Sequence, residues 1–164
     1  MAMSTIVTLI MFTVYVTFLS VLLRKISMTR KLIQLIVAAG LLLGLVSTVI
    51  AGLFSIIEVY LIHMNNLGEL HVVVVGPIQE EIAKFVCFIL AYYRIMQTYG
   101  LSGEEKSKIE KWKSLVILGA FVGLAFALLE NLLIYGNLTI AETFIRTLNP
   151  LHMITVGISA YGFH

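Results

Sequence analysis

The chain has 164 residues, of which 60% are hydrophobic and only 12% are charged, and its mean hydropathy is +1.01. This composition excludes an ordinary soluble domain and indicates an integral membrane protein. The formal net charge of +2 argues against nucleic acid as a partner, and a single cysteine, Cys87, excludes a disulfide framework and a cysteine-rich metal site. We therefore predict an all-α fold, a polytopic transmembrane helix bundle in the lipid bilayer.

Four apolar segments are long enough to cross a bilayer, which takes about 20 apolar residues. They run from about Thr5 to Leu23, Leu32 to Ile57, Val72 to Tyr93 and Ser114 to Tyr135. A fifth begins at Pro150 but reaches His164 after about 13 residues, or ~20 Å of helix. We expect about five spans and a chain truncated at its C-terminal end. Pro77 should either start or kink the third helix.

Glycines recur at four-residue spacing in two of these spans. The second span carries Gly40, Gly44 and Gly52, and the fourth carries Gly119 and Gly123. Small residues at this spacing let two helix backbones approach closely in a membrane. The pattern predicts helix packing.

The segments between the spans differ in charge. The predicted loop from Glu58 to His71 contains no Lys or Arg, whereas residues 24–31 and 94–113 contain nine. The positive-inside rule therefore makes those two basic loops cytoplasmic and the N-terminus external, in a multi-pass protein of the cell membrane. Within the second basic loop, residues 101–106 are predicted to form a polar connector and residues 109–113 a short amphipathic entry into the next span, with Trp112 as an interfacial anchor.

Five ionisable residues fall at membrane depth. They are Glu80, Glu81, Lys84, Glu130 and His152. Each ionised side chain near the middle of a span costs roughly 2.5–3.5 kcal/mol on insertion scales, so it is either offset locally or required for function. Because successive spans alternate in direction, the three spans that carry these residues can converge on one pocket in the outer half of the bilayer.

The acidic residues differ in the partners that their own helices offer. Glu80 and Lys84 are four residues apart, so they share a helix face and can form a structural ion pair. Glu81 is rotated ~100° from Glu80 and has no such partner, so it must face another helix, a cavity or a cation. Glu130 poses the same problem, with Asn131 as its only polar neighbour in sequence.

His152 adds an imidazole of the kind that binds zinc. Two carboxylates and an imidazole can hold a metal that acidifies water, while another carboxylate takes the proton. Arg146 could pair with Glu142, bind a substrate carbonyl or carboxylate, or lie at the membrane interface. The pattern favours hydrolytic chemistry.

Three ordered motifs carry a family resemblance. They are Glu80-Glu81-x-x-Lys84, Phe126-x-x-x-Glu130-Asn131 and Arg146-x-x-x-Pro150-x-His152. Together they resemble the motifs of the PrsW family of intramembrane proteases, relatives of the CAAX prenyl endopeptidase and bacteriocin-processing group, over about residues 76–164. The resemblance implies a glutamate-dependent, metal-dependent endopeptidase, with zinc as the expected ion, that cleaves a membrane or membrane-proximal protein. In bacterial relatives that substrate is an anti-sigma factor.

The resemblance also implies roles for individual residues. Glu80 and Glu81 supply the general base and one metal ligand, and Glu81, Glu130 and His152 form the expected ligand set. We favour Glu81 over Glu80 as base or ligand, because Lys84 engages the face of Glu80. The supporting or substrate-binding residues are Lys84, Asn131 and Arg146. Residues 1–70 are then two N-terminal helices with an external loop, and residues 71–164 the protease core.

The last histidine of the related endopeptidase group is followed four residues later by an asparagine, where this chain has Val156. The metal ligand or oxyanion donor that this asparagine supplies would have to come from Asn131, Thr155 or Ser159. Ser159 and Cys87 are themselves poor candidates for a nucleophile, because they lie on apolar helix faces with no base nearby.

Two other functions fit the same residues. Intramembrane glutamates and histidines also build proton relays, so the alternative is a proton- or cation-coupled transporter. A scaffold that binds membrane partners without turnover is a third possibility.

Overall fold

The computed structural model describes residues 2–26, 28–65, 75–98, 101–133, 139 and 151–163. These residues form helices α1 (Ala2–Lys25), α2 (Arg30–Asn65), α3 (Gly76–Thr98), α4 (Gly103–Glu110), α5 (Trp112–Leu133) and α6 (Leu151–Phe163). No strand occurs among them. The predicted all-α bundle is confirmed.

Three of the helices in the described ranges are long and apolar enough to span a membrane. These stretches are Thr5–Lys25, Arg30–Ile57 and Trp112–Leu133. The apolar helix α6 is shorter, with 13 residues. α3 has 23 residues, but Glu80, Glu81 and Lys84 near its start lower its hydropathy. The composition and these helices make the chain a multi-pass membrane protein.

The predicted loop from Glu58 to His71 is wrong in its first half. Helix α2 continues through this stretch to Asn65, because the sequence from residue 59 to 62 is again apolar and nothing breaks the helix there. The rest of that loop, and residues 72–74 of the predicted third span, lie outside the described residues.

Helix α3 starts with Gly76 and Pro77, so the proline begins the helix and does not kink it. Proline is tolerated in the first turn because the N–H that it lacks has no partner inside the helix there. The regular turn that follows fixes where Glu80 and Glu81 point.

The predicted polar connector at residues 101–106 is mostly helical. Ser102 caps α4: its hydroxyl accepts from the N–H of Glu105 at 3.2 Å, and the Glu105 carboxylate accepts from the N–H of Ser102 at 3.0 Å. This reciprocal pair is a capping box, and the hydrogen bond from the Ser102 backbone lowers the pKa of Glu105. The chain is extended at Lys111 before α5 begins, so the predicted amphipathic entry at residues 109–113 is divided between two helices.

Helix α5 lies at the centre of the bundle and contacts each of the other five helices. Two glycine pairs bring its neighbours close. A methyl group added at Gly44 of α2 would collide with the backbone of Val122, and one at Gly123 of α5 would collide with the carbonyl of His152. Gly40 and Gly119 make similar close approaches, whereas no atom of the described residues lies within 4 Å of the position that a Gly52 methyl would take. The packing prediction therefore holds for these two pairs and is wrong for Gly52.

Candidate active site

Three helices bring one ionisable side chain each to the same place. Glu80 lies one turn into α3, Glu130 lies in the last turn of α5, and His152 is the second residue of α6. One potential ligand atom from each of the three lies within 4.8 Å of the others. Since Glu80 meets Glu130 while Lys84 meets Phe126, α3 and α5 run in opposite directions. The close approach of α6 to Gly123 sets the level of His152.

The His152 ring is held on both of its nitrogens. Nε2 lies 2.9 Å from Glu130 Oε2, and Nδ1 lies 2.7 Å from Lys84 Nζ. A lysine ammonium only donates hydrogen bonds, so Nδ1 accepts from Lys84, and Nε2 carries the ring proton and donates it to Glu130. The two contacts together fix the orientation of the ring and its tautomer.

Lys84 is the most buried charged residue of the site, with 0% of its surface exposed. Its ammonium donates to Glu81 Oε1 as well as to His152, and it lies 4.4 Å from the centre of the Phe126 ring. The expected Glu80–Lys84 pair is therefore wrong, because Lys84 engages the residue three positions back instead of four. Both spacings lie on one helix face, and the rotamer of the lysine decides between them.

Glu81 differs from the other two acids in its surroundings. Its side chain is 39% exposed, against 10% for Glu130, and its Oε1 lies 3.9 Å from His152 Nδ1. The structure thus places Glu81 beside the His152 ring at Nδ1 and Glu130 at Nε2, and groups Glu80 with Glu130 and His152 within 4.8 Å. Its expected lack of a partner in its own helix is also wrong, since Lys84 supplies one.

The other residues predicted for the site are only partly described. Asn131 is half-buried on α5, directly after Glu130. Arg146, Glu142 and Pro150 lie outside the described residues. Val156 packs against Gly119, and the Ser159 hydroxyl donates to the Thr155 carbonyl at 3.0 Å.

One residue at the site, and one next to Glu80 in the sequence, were not predicted. The Phe126 ring lies 5.1 Å from the His152 ring, centre to centre, and beneath the Lys84 ammonium. Its position one turn before Glu130 in the motif was a signal for this. The other is Gln79, whose buried Oε1 has no hydrogen-bond partner within the described part of the chain. Nothing in its sequence context indicated that.

The chemistry of the cluster fits a divalent metal. Two carboxylates and one imidazole from three helices supply three protein donors, the number that a catalytic zinc site uses while it keeps a further position for water or substrate. The residues that could hold the ion are Glu80, Glu130 and His152. Glu81 and Lys84 lie next to them and would orient the histidine.

The comparison with protein families gives one match, to the PrsW family intramembrane metalloproteases, over residues 29–164. No curated protein and no solved structure matches the chain. The match covers α2 to α6 and includes every residue of the cluster around His152. It extends well beyond the residues 76–164 that carry the motifs. The chain therefore belongs to the PrsW family of intramembrane metalloproteases, which makes it a membrane-embedded protease acting on a membrane-protein substrate.

Proposed function

We propose that this protein is an endopeptidase that hydrolyses a peptide bond in a membrane or membrane-proximal protein, using water activated at the cluster of Glu80, Glu130 and His152. The observation that carries the proposal is the convergence of these three side chains, from three different helices, within 4.8 Å. Buried ionisable groups are costly in a membrane, and structural packing alone gives no reason to gather three of them.

We assign metal binding to Glu80, Glu130 and His152, with zinc as the preferred ion. When bound, such an ion supplies Lewis acidity, which lowers the pKa of water to about 7 and polarises a carbonyl group. This assignment replaces Glu81 by Glu80 in the ligand set expected from the sequence. It rests on the positions of the side chains, because Glu81 Oε1 is held by Lys84 on the Nδ1 side of the histidine.

We assign the role of general base to Glu81. Its carboxylate borders the cluster. The Glu81 side chain is 39% exposed, against 10% for Glu130, so water can reach it. Lys84 holds Oε1, and the carboxylate would accept the proton of the attacking water and pass it to the leaving amine. The general base and the metal ligand Glu80 are then neighbouring residues of one helix turn.

We place the site in the outer half of the bilayer. Nine of the 11 Lys and Arg residues lie at the opposite end of the bundle: Arg24, Lys25, Arg30, Lys31, Arg94, Lys106, Lys108, Lys111 and Lys113. The positive-inside rule puts that end in the cytoplasm. Residues 71–164 form the proposed protease core, and α1 and α2 pack beside it.

The test is a comparison of protein N-termini in membranes of cells that express the wild-type chain or Glu130→Gln. We expect new N-termini close to transmembrane segments of other proteins in the wild-type sample, and their loss in the variant. Glu110→Gln is the matched control, because Glu110 is exposed at the end of α4, far from the cluster. Identical sets of N-termini in all samples would contradict proteolysis by this cluster.

The same variants address the transporter alternative. If Glu130→Gln leaves all N-termini unchanged but abolishes an ion-dependent flux into liposomes that contain the purified protein, the cluster serves transport.

A further inference from the structure

Lys84 occupies the lone pair of His152. Its ammonium has donors only, so the 2.7 Å contact makes Nδ1 the acceptor and leaves the ring proton on Nε2, which points at Glu130 Oε2. A neutral imidazole has a single lone pair in the ring plane. In this arrangement that lone pair faces Lys84 and not Glu130.

Coordination of a cation through Nε2 needs the opposite arrangement. The ring proton would have to be on Nδ1, and Nδ1–H would then face an ammonium that also only donates. Two donors cannot share a 2.7 Å contact, so Lys84 must leave Nδ1 when Nε2 binds a cation.

An acceptor is already in place for Nδ1–H. Glu81 Oε1 lies 3.9 Å from Nδ1, so a small movement of either side chain makes a hydrogen bond. Glu81 also accepts from Lys84, so the lysine keeps an anionic partner after it leaves the ring. Metal-binding histidines usually donate their other N–H to a carboxylate of this kind.

We propose that Lys84 and a divalent cation are alternative partners of His152, and that cation binding moves the hydrogen bond at Nδ1 from Lys84 to Glu81. This inference rests on the metal site of the proposed function. Lys84 thereby becomes a positioning residue that sets how tightly the site binds its ion. Its ammonium opposes the ion both by holding the wrong tautomer and by its charge, which burial leaves poorly screened.

Removing the charge should therefore tighten metal binding. We expect Lys84→Met, which fills a similar volume, to bind Co²⁺ and Zn²⁺ roughly tenfold or more tightly than the wild type. Lys84→Arg is the matched control, because it keeps the charge and the donors and should bind no more tightly than the wild type. His152→Ala should lose the Co²⁺ absorption in the visible region, which identifies the site.

The measurement is titration of the detergent-purified protein with Co²⁺ and Zn²⁺ in competition with a chromophoric chelator. Circular dichroism checks that each variant is folded, and Lys84→Gln, neutral and polar, carries the same expectation should Lys84→Met fail to fold. Weaker or unchanged binding by the neutral variants, or no binding by any variant, overturns the proposal. Cleavage is measured in a separate experiment, the comparison of protein N-termini, so proteolysis can persist when this inference fails.

Discussion

The roles of Glu80 and Glu81 can be separated by one substitution. Because Glu81 lies on the Nδ1 side of His152 and is not a ligand, we expect Glu81→Gln still to bind metal, with affinity lowered by about 10- to 100-fold, as the loss of a carboxylate partner of a ligating histidine lowers it. Cleavage at saturating metal should fall by about 10²-fold or more, the usual contribution of a general base. The amide oxygen of glutamine still accepts from Lys84, so the packing is preserved. Metal content is measured by elemental analysis after mild dialysis.

Glu80→Gln is the matched comparison, since it alters the neighbouring residue of the same helix. It should lose both metal and cleavage, as should His152→Ala. Loss of metal from Glu81→Gln with retention in Glu80→Gln would restore the ligand set expected from the sequence.

Sequence spacing alone could not distinguish these two glutamates. It correctly singled out the ionisable residues, because an apolar segment makes each of them conspicuous and costly. The partner of Lys84 depends on its rotamer, and both Glu80 and Glu81 lie within its reach on the helix. Lys84 contacts Nδ1 of His152, 68 positions along the chain, and in the position that this contact requires its ammonium reaches Glu81. Such a contact is visible only once the helices are packed.

The position of His152 depends on a close contact between two helices. A methyl group at Gly123 would collide with the His152 carbonyl, so α6 can lie this close to α5 only while position 123 has no side chain. We expect Gly123→Ala to push α6 outward, to destabilise the protein by roughly 1–3 kcal/mol and to reduce metal content. Thermal unfolding in detergent and elemental analysis are the measurements.

Gly52→Ala provides the control for that substitution. It is also a glycine inside a membrane helix, but among the parts of the chain that the structure describes a methyl group there meets no atom within 4 Å. Alanine favours a helix over glycine by up to about 1 kcal/mol, so this variant should be as stable as the wild type or slightly more stable. Equal losses in both variants would mean that the contact at His152 does not explain the effect.

Helix boundaries were predicted less well than the helices themselves. Hydropathy located every apolar segment, since a membrane span needs a long run of apolar residues. It ended α2 at Ile57 because polar residues begin there, although α2 continues to Asn65. It also missed α4, whose stability depends on the Ser102 capping box and not on hydrophobicity.

The packing of the complete bundle explains why the family match extends beyond the motifs. The match begins at residue 29, and α2 packs along both α3 and α5, with Gly44 directly against Val122. α2 thus holds the two helices that carry Glu80 and Glu130. No motif singled out α2 in the sequence, because its role is contact and not chemistry.

The orientation of the bundle decides on which side of the membrane substrates are cut. The segment between α5 and α6 joins the two helix ends that carry Glu130 and His152, and Thr139 is exposed within it, whereas Lys111 is exposed at the other end of α5. We expect a membrane-impermeant maleimide to label Thr139→Cys in intact cells and Lys111→Cys only after permeabilisation, because the basic loops are retained in the cytoplasm. The native thiol, Cys87, is fully buried, so the wild type is an unlabelled control. The reverse pattern would place the active site in the inner half of the bilayer and would require substrates that are cut near the cytoplasm.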